Sequence, residues 1–427
     1  EAGKLYNVLP SGNRAPDNKG GAGYDQTRAD FDFDRGSNAA ATRINSSGLI
    51  EKYRENLLLQ SNNFGTTWGT DLSTITSGQS GYDGSSDAWL LSRTGANGRF
   101  GQVISLNGLY TFSLYVKAGT KSFVKFGSSS GNVEAYFNLS NGSITSSGSL
   151  IIEAKTTNVG NGWYRCQMTF SATLSYLNIW IADSNGNTSG TTGTIYVQNA
   201  QLESGLAATD VLTSGATTAK AGVLVDMPRI NYDANGENGS LLLEPSRQQL
   251  IPQSEYFGGS DWDKTSNGTA SVPVLTYGVE SPEGLNNAYE ITFNTGAGTS
   301  SSDSSVLAES ISNQSAGSYT LSFYAKVSSG TNKIVARSAG GSAYTTCDLT
   351  DQWQRFEITE TLASTGIIYI DIGVRRGLAN EPLNSSVTCQ LYGVMLEPNA
   401  TYATSYIPNH GTSGGVTRAA DSCSVTG

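Results

Sequence analysis

The chain carries a single histidine, His410, set in the phrase YIPNHGTSG. A serine or cysteine hydrolase needs a histidine base that is itself oriented by a third group, and a loop histidine between Asn and Gly is a poor candidate for that role. The four cysteines, Cys166, Cys347, Cys389 and Cys423, form no CxxC pair and have no histidine at metal-ligand spacing. They read as isolated thiols; a Cys347–Cys389 bridge stays open, because the separation that decides it is not legible in sequence. Two carboxylates facing one bond hydrolyse glycosides, but Asp and Glu are scattered here over connectors and turns. The expectation is a protein that is not an enzyme.

Binding chemistry is better supplied. Six Trp and 21 Tyr accompany loops rich in Asn and Asp, and sugar recognition uses aromatic faces flanked by groups that hydrogen-bond hydroxyls. The aromatic candidates are Trp68, Trp262 and Trp180. Against that reading, Trp68 and Trp262 each follow a Phe, Phe64 or Phe257, through a Gly-containing turn after a Gln-Ser pair. The preferred account is that Leu57–Leu59 and Leu250–Ile251 enter as first strands and that Phe and then Trp cover the end of the core. Trp163 and Trp353, at strand starts, read as packing residues, as do Trp89 and Tyr289. No cofactor is expected. The turns DSNGNTSG from Asp183 and YDANGEN from Tyr232 leave a structural calcium open. Neither fits the twelve-residue calcium loop, and Asn-Gly pairs account for themselves as tight turns.

Of the 427 residues only 15% are charged, whereas Gly contributes 50 and Tyr outnumbers Phe by 21 to 13. Such a composition favours strands and turns over helices. A length of this order suggests two or three domains. With 36 acidic against 26 basic residues, the net charge of -10 repels phosphate backbones and anionic lipid. Nucleic acid is not an expected partner. No apolar run approaches the roughly 18 residues of a membrane span, and residues 1–30 show no charged-then-apolar export pattern.

The elements that must position the aromatics come from an internal repeat. NLLLQSNNFGTTW, from Asn56, pairs with QLIPQSEYFGGSDW, from Gln249. DGSSDAWLLS pairs with EGLNNAYEIT, YTFSLYVKAGT with YTLSFYAKVSSGT, NGWYRCQMTF with DQWQRFEITE, and YVQNAQLESG with QLYGVMLEPN, all in the same order. Each has strand character: Tyr110, Phe112, Leu114 and Val116 alternate with Thr111, Ser113, Tyr115 and Lys117, and Tyr319, Leu321, Phe323 and Ala325 repeat the pattern. LNIWIADS and IIYIDIGV read as strands too. The fold class expected is all-β, two tandem antiparallel sandwiches joined by short β-rich connectors. The divisions are an N-terminal connector at 1–50, sandwich one at 51–212, a connector repeating the first at 213–243, sandwich two at 244–410, and the start of a further connector at 411–427.

DFDRGSNAAATRINSSGLIE, GSLLLEPSRQQLIPQSEYF, YTLSFYAKVSSGT and ATSYIPNHGTSGGVTRAADS together resemble phage tail-fibre, head-fibre and spike proteins. In those proteins the LLLEPSR phrase leads into a jelly-roll module similar to carbohydrate-binding modules, and the TRAAD phrase closes it. The resemblance runs from about Ala29 to Ser422. In the first half it is weaker: EKYREN stands where LLEPSR would, and the closing phrase becomes AATDVLTSGATTAKAG. The resemblance implies a structural virion protein, located on the virion or otherwise extracellular. It implies a homotrimer or other homo-oligomer in contact with further virion proteins and presenting its modules to host-surface glycans. Two alternatives stand beside it, a secreted bacterial glycan-binding protein and a purely structural filament or decoration subunit.

Overall fold

The computed structural model describes residues 30–37, 40–129, 131–338, 343–377 and 385–426. The first 29 residues of the expected N-terminal connector lie outside them. Every regular element among the described residues is a strand, so no helix there is long and apolar enough to cross a membrane. The chain divides into two compact units, one being Arg54–Ala221 and the other the described residues of Glu1–Tyr53 with Gly222–Gly427.

In the Arg54–Ala221 unit the strands Arg99–Ala118 and Trp163–Ala182 pair along almost their whole length, from Trp163 opposite Lys117 to Trp180 opposite Arg99. Both run through the two halves of one continuous ten-stranded sheet. Their C-terminal and N-terminal halves respectively sit with Ser73–Gln79, Ala88–Arg93, Gly193–Ser204 and Ile151–Gly160, and their other halves join Gly69–Asp71, Phe123–Gly127, Glu134–Asn138 and Ser143–Ser147. The core lies between, where alternation drives one side of each strand inward: Phe112, Leu114, Val116, Cys166, Met168, Phe170, Ile179 and Ile181 are fully buried.

The second unit repeats the plan with the long strands broken in two. One sheet runs Ser271–Val279, Ala288–Asn294, Ser386–Pro398, Gly317–Lys326, Gln354–Leu362, and the other Asp263–Asn267, Ser304–Gln314, Gly366–Arg375, Asn332–Arg337, Thr345–Leu349. The chain crosses repeatedly between two antiparallel sheets, with hairpins Ser271–Val279/Ala288–Asn294 and Asn332–Arg337/Thr345–Leu349 staying within one sheet each, so the chain is an all-β protein of jelly-roll sandwiches. Leu321, Phe323 and Ala325 are fully buried, and Tyr319 nearly so.

One detail differs from the sequence reading. Leu57–Leu59 and Leu250–Ile251 are not strands; the strands are Arg54–Asn56 and Arg247–Gln249, and the apolar residues follow outside regular structure. The closing segments hold those strands in place, Ala219–Ala221 against Arg54–Asn56 and Val416–Arg418 against Arg247–Gln249.

The phrases that carried the family resemblance meet as one joint in the second unit. Glu244 of LLLEPSR accepts the Ser405 amide at 2.7 Å and sits 2.8 Å from Arg418 of TRAAD and 2.9 Å from Arg229. Asp421 receives Arg229 and, at 3.2 Å, Arg35. The three guanidinium groups are nearly fully buried, which requires that their charge be matched. A second buried cluster ties the hairpin Thr42–Ile44/Ile50–Lys52 to the same sandwich. The Lys52 ammonium contacts Glu283 and lies 2.5 Å from Glu255, whose carboxylate also accepts Tyr406 at 2.8 Å and Tyr392 at 3.0 Å. His410 stands 3.3 Å from Glu255, so the lone histidine belongs to this packing joint.

All four cysteines are free. Cys347 and Cys389 are buried, and burial pushes both thiols up to about 12; the bridge left open by the sequence does not form.

Candidate functional site

Trp68 and Trp262 lie inside the sandwiches. Trp68 stands edge-on to Phe64 at 5.0 Å and Trp262 edge-on to Phe257 at 5.3 Å. Each indole N–H is satisfied by a carbonyl, Gln60 O at 3.1 Å and Gln253 O at 2.7 Å. Trp163 is buried, and Trp353 is half-buried under the Lys326 ammonium at 5.2 Å. Trp180 is placed differently. It lies on the outer face of the second half of the first unit's sheet, covered by the Lys125 ammonium at 4.5 Å and the Arg99 guanidinium at 5.9 Å, which leaves it 4% exposed.

Strand register builds the face. Trp180 is opposite Arg99 and Lys125, and Arg99 is opposite Asp71. One row over, Asn178 is opposite Gly101 and Gly127, and Gly101 is opposite Gly69. Tyr176 is opposite Val103. The first row is a line of ring-stacked cations, each with an acid partner: Arg99 with Asp71 at 2.8 Å and Lys125 with Glu134 at 2.5 Å. The second row is stripped of side chains by its glycines, and a Cβ at Gly101 would stand 2.5 Å from the Asn178 side-chain oxygen. The result is a groove of about 760 Å³ with Gly69, Gly101 and Asn178 on its floor, Asp71 and Arg99 on one wall and Thr173–Tyr176 on the other.

Two side chains define what the groove can hold. Tyr176 is 51% exposed, a large aromatic left in water at the rim. Asn178 is 7% exposed, yet no hydrogen bond to its carboxamide is made by the described residues. Its polar atoms therefore face the groove, and a donor and an acceptor are available there. Aromatic face, free amide and flanking ion pair are the means by which a protein orients a polyhydroxylated ligand.

Trp180, a candidate in the sequence, is not among the residues lining the groove, and the sequence reading passed over Tyr176 and Asn178, which do line it, although the signal was present. The stretch Tyr176-Leu-Asn-Ile-Trp180 places polar and aromatic residues at every second position of a strand whose other face is aliphatic. The second unit has Tyr369-Ile-Asp-Ile-Gly373 at the equivalent place, Tyr369 opposite Ser310 and Asp371 opposite Ala308.

The turns considered for calcium are otherwise engaged. Asp183 is clasped by Arg93 at 2.7 Å and Lys121 at 2.7 Å, and the Arg93 hydrogen bond holds its carboxyl well below the usual range. Asp233 caps its own turn, accepting the amides of Glu237 at 2.8 Å and Asn235 at 3.0 Å. Among the described residues no group of three or more His, Cys, Asp or Glu side chains is arranged to hold a metal.

No protein-family model matches the chain, and no curated protein matches it either. Similar solved structures include the N-terminal CBM22-1–CBM22-2 tandem domain of Paenibacillus barcinonensis Xyn10C, 12% identical over 85% of this chain and 99% of that one, with a TM-score of 0.25. TmCBM61 in complex with β-1,4-galactotriose is 16% identical over 35% of this chain and 97% of that one, TM-score 0.24. The enzymatically active domain of bacteriophage CBA120 tailspike protein 4 is 9% identical over 34% of this chain and 20% of that one, TM-score 0.23. Scores of this size do not carry residue roles from one protein to another.

Proposed function

We propose that the chain is a non-catalytic glycan-binding protein and that the groove over Gly69, Gly101 and Asn178 is its saccharide site. The observation that carries this reading is the Asn178 carboxamide, left open to the groove with no hydrogen bond from the described residues, on the same strand as an exposed tyrosine. In the bound arrangement Tyr176 stacks on a pyranose face, Asn178 donates to and accepts from hydroxyls, and the Asp71–Arg99 pair reads the next hydroxyls along. The two cations of this face are already balanced by Asp71 and Glu134, so the groove suits a neutral sugar. Single sites of this kind bind weakly, and repetition of the chain in an oligomer raises the avidity.

The setting we propose is a phage fibre or spike of several copies, displayed outside the host and meeting its surface glycans; the support is the LLLEPSR and TRAAD wording of the second half.

Isothermal titration of the whole protein with neutral gluco-, xylo- and galacto-oligosaccharides tests the site. Wild type is expected to bind at least one of them, and Tyr176→Ala and Asn178→Ala each to weaken it at least about tenfold, the equivalent of about 1.4 kcal/mol. Absence of binding by a folded protein to every sugar offered removes the reading and leaves a structural subunit. Light scattering tests the assembly: a mass near the 44.9 kDa of one chain removes the oligomeric fibre.

A further inference from the structure

The second unit carries a different strip on the equivalent sheet face. Alternation along Gly366–Arg375 puts Tyr369, Asp371 and Arg375 on the outer side, Ile368, Ile370, Ile372 and Val374 being fully buried. Tyr369 and Arg375 are six positions apart, so the strip is about 20 Å long at about 3.3 Å per residue. Tyr369 is 46% exposed. In the middle, the Asp371 carboxylate accepts Arg337 Nε at 2.6 Å and the Tyr344 hydroxyl at 2.7 Å. Two guanidinium groups approach the Tyr344 ring, Arg337 at 5.1 Å and Arg375 at 5.4 Å from its centroid.

The charge arithmetic differs from that of the first unit. Arg99, Lys125 and Arg337 are each paired with a carboxylate, respectively Asp71, Glu134 and Asp371, and Glu360 also acts on Arg337. Arg375 has no carboxylate partner among the described residues. In a chain with 36 acidic residues and 26 basic ones, a guanidinium parked on a ring and left without an acid is an available anion receptor. Its planar fork matches a carboxylate bidentately, and an exposed tyrosine farther along the strand supplies a stacking face for another sugar ring of the same chain.

We propose that this strip is a second saccharide site, selective for an acidic saccharide, with Arg375 taking the sugar carboxylate and Tyr369 and Tyr344 supporting the rings. It does not depend on the groove of the first unit, which takes neutral sugars. The two modules of one chain thereby read two chemically different features of a glycan surface.

The test is titration of the whole protein with oligogalacturonate, oligomannuronate and sialyllactose, and with methyl-esterified oligogalacturonate as a chain of the same shape without charge. The expected result is binding of at least one acidic sugar that weakens at least about tenfold in Arg375→Gln and on raising salt from about 0.05 to 0.5 M. The methyl ester, if the acid is galacturonate, is expected to bind more weakly than the acid. Arg375→Lys is expected to restore part of the affinity, because it returns the charge without the fork. Equal affinity of wild type and Arg375→Gln, or no binding to any of the acidic sugars, overturns the proposal. Neutral-sugar binding, unchanged in Arg375→Gln and lost in Tyr176→Ala, reports on the first groove separately.

Discussion

Asn56 and Gln249 do the same work at the start of their sandwiches. The Asn56 amide donates to Ala200 O at 3.0 Å and its oxygen accepts Leu58 N at 3.2 Å and Leu202 N at 3.1 Å. Gln249 donates to Val394 O at 2.9 Å and accepts Ile251 N at 3.0 Å and Leu396 N at 2.8 Å. Both are fully buried. Each satisfies the backbone where the last long strand breaks register, between Gln198 and Gln201 in one unit and opposite Ser322 and Tyr324 in the other. Replacement of either by Ala is expected to cost on the order of 2–4 kcal/mol, because several backbone groups lose partners in a dry interior. Calorimetry of the two variants checks this; a change in melting temperature below about 2 °C in either would contradict it.

Lys52 is expected to be the costliest charge to remove. Burial alone would push its ammonium down, but Glu255 and Glu283 outweigh that and hold it above its ordinary value. Lys52→Met leaves two buried carboxyl groups without their cation, a loss of about 3–5 kcal/mol by the record of broken buried pairs. Urea unfolding followed by tryptophan fluorescence measures it. A double variant, Lys52→Met with Glu283→Gln, is expected to recover part of the loss.

The thiols give a quick test of the interior. Cys166 is buried, and burial raises it as it does Cys347 and Cys389. Ellman's reagent at pH 8 is expected to titrate at most Cys423 in the native protein and all four cysteines in guanidinium. A second fast-reacting native thiol would count against the packing described.

Glu309 sets a pH dependence. Burial first, then the nearby Asp261, raises its carboxyl to about 7 from the ordinary 4.5. A raised carboxyl favours the protonated native state, so its contribution is full below pH about 4.5 and is lost as pH rises toward about 7. Glu309→Gln is therefore expected to melt higher than wild type at pH 8 and at the same temperature near pH 4. Equal melting temperatures at both pH values would show that Glu309 is not strained.

Much of this protein was legible as a linear pattern. Period-two alternation in YTFSLYVKA and YTLSFYAKV determined strands with one aliphatic face, because a strand must bury every second residue; the repeated phrases determined that the same sandwich is built twice. The fate of Trp68 and Trp262 turned on which carbonyl met each indole N–H, a contact between residues several positions apart around a turn. The groove was decided only by tertiary structure. Gly69, Gly101 and Asn178 come from three strands, and the space above them exists because cross-strand register aligns two side-chainless positions beside an amide. Register likewise gave Arg99 and Lys125 their acids, and among the described residues it gave Arg375 none. Local pattern specifies which residues face outward, whereas which outward residues become neighbours depends on strand order and register, and those follow from the packing of the whole sandwich.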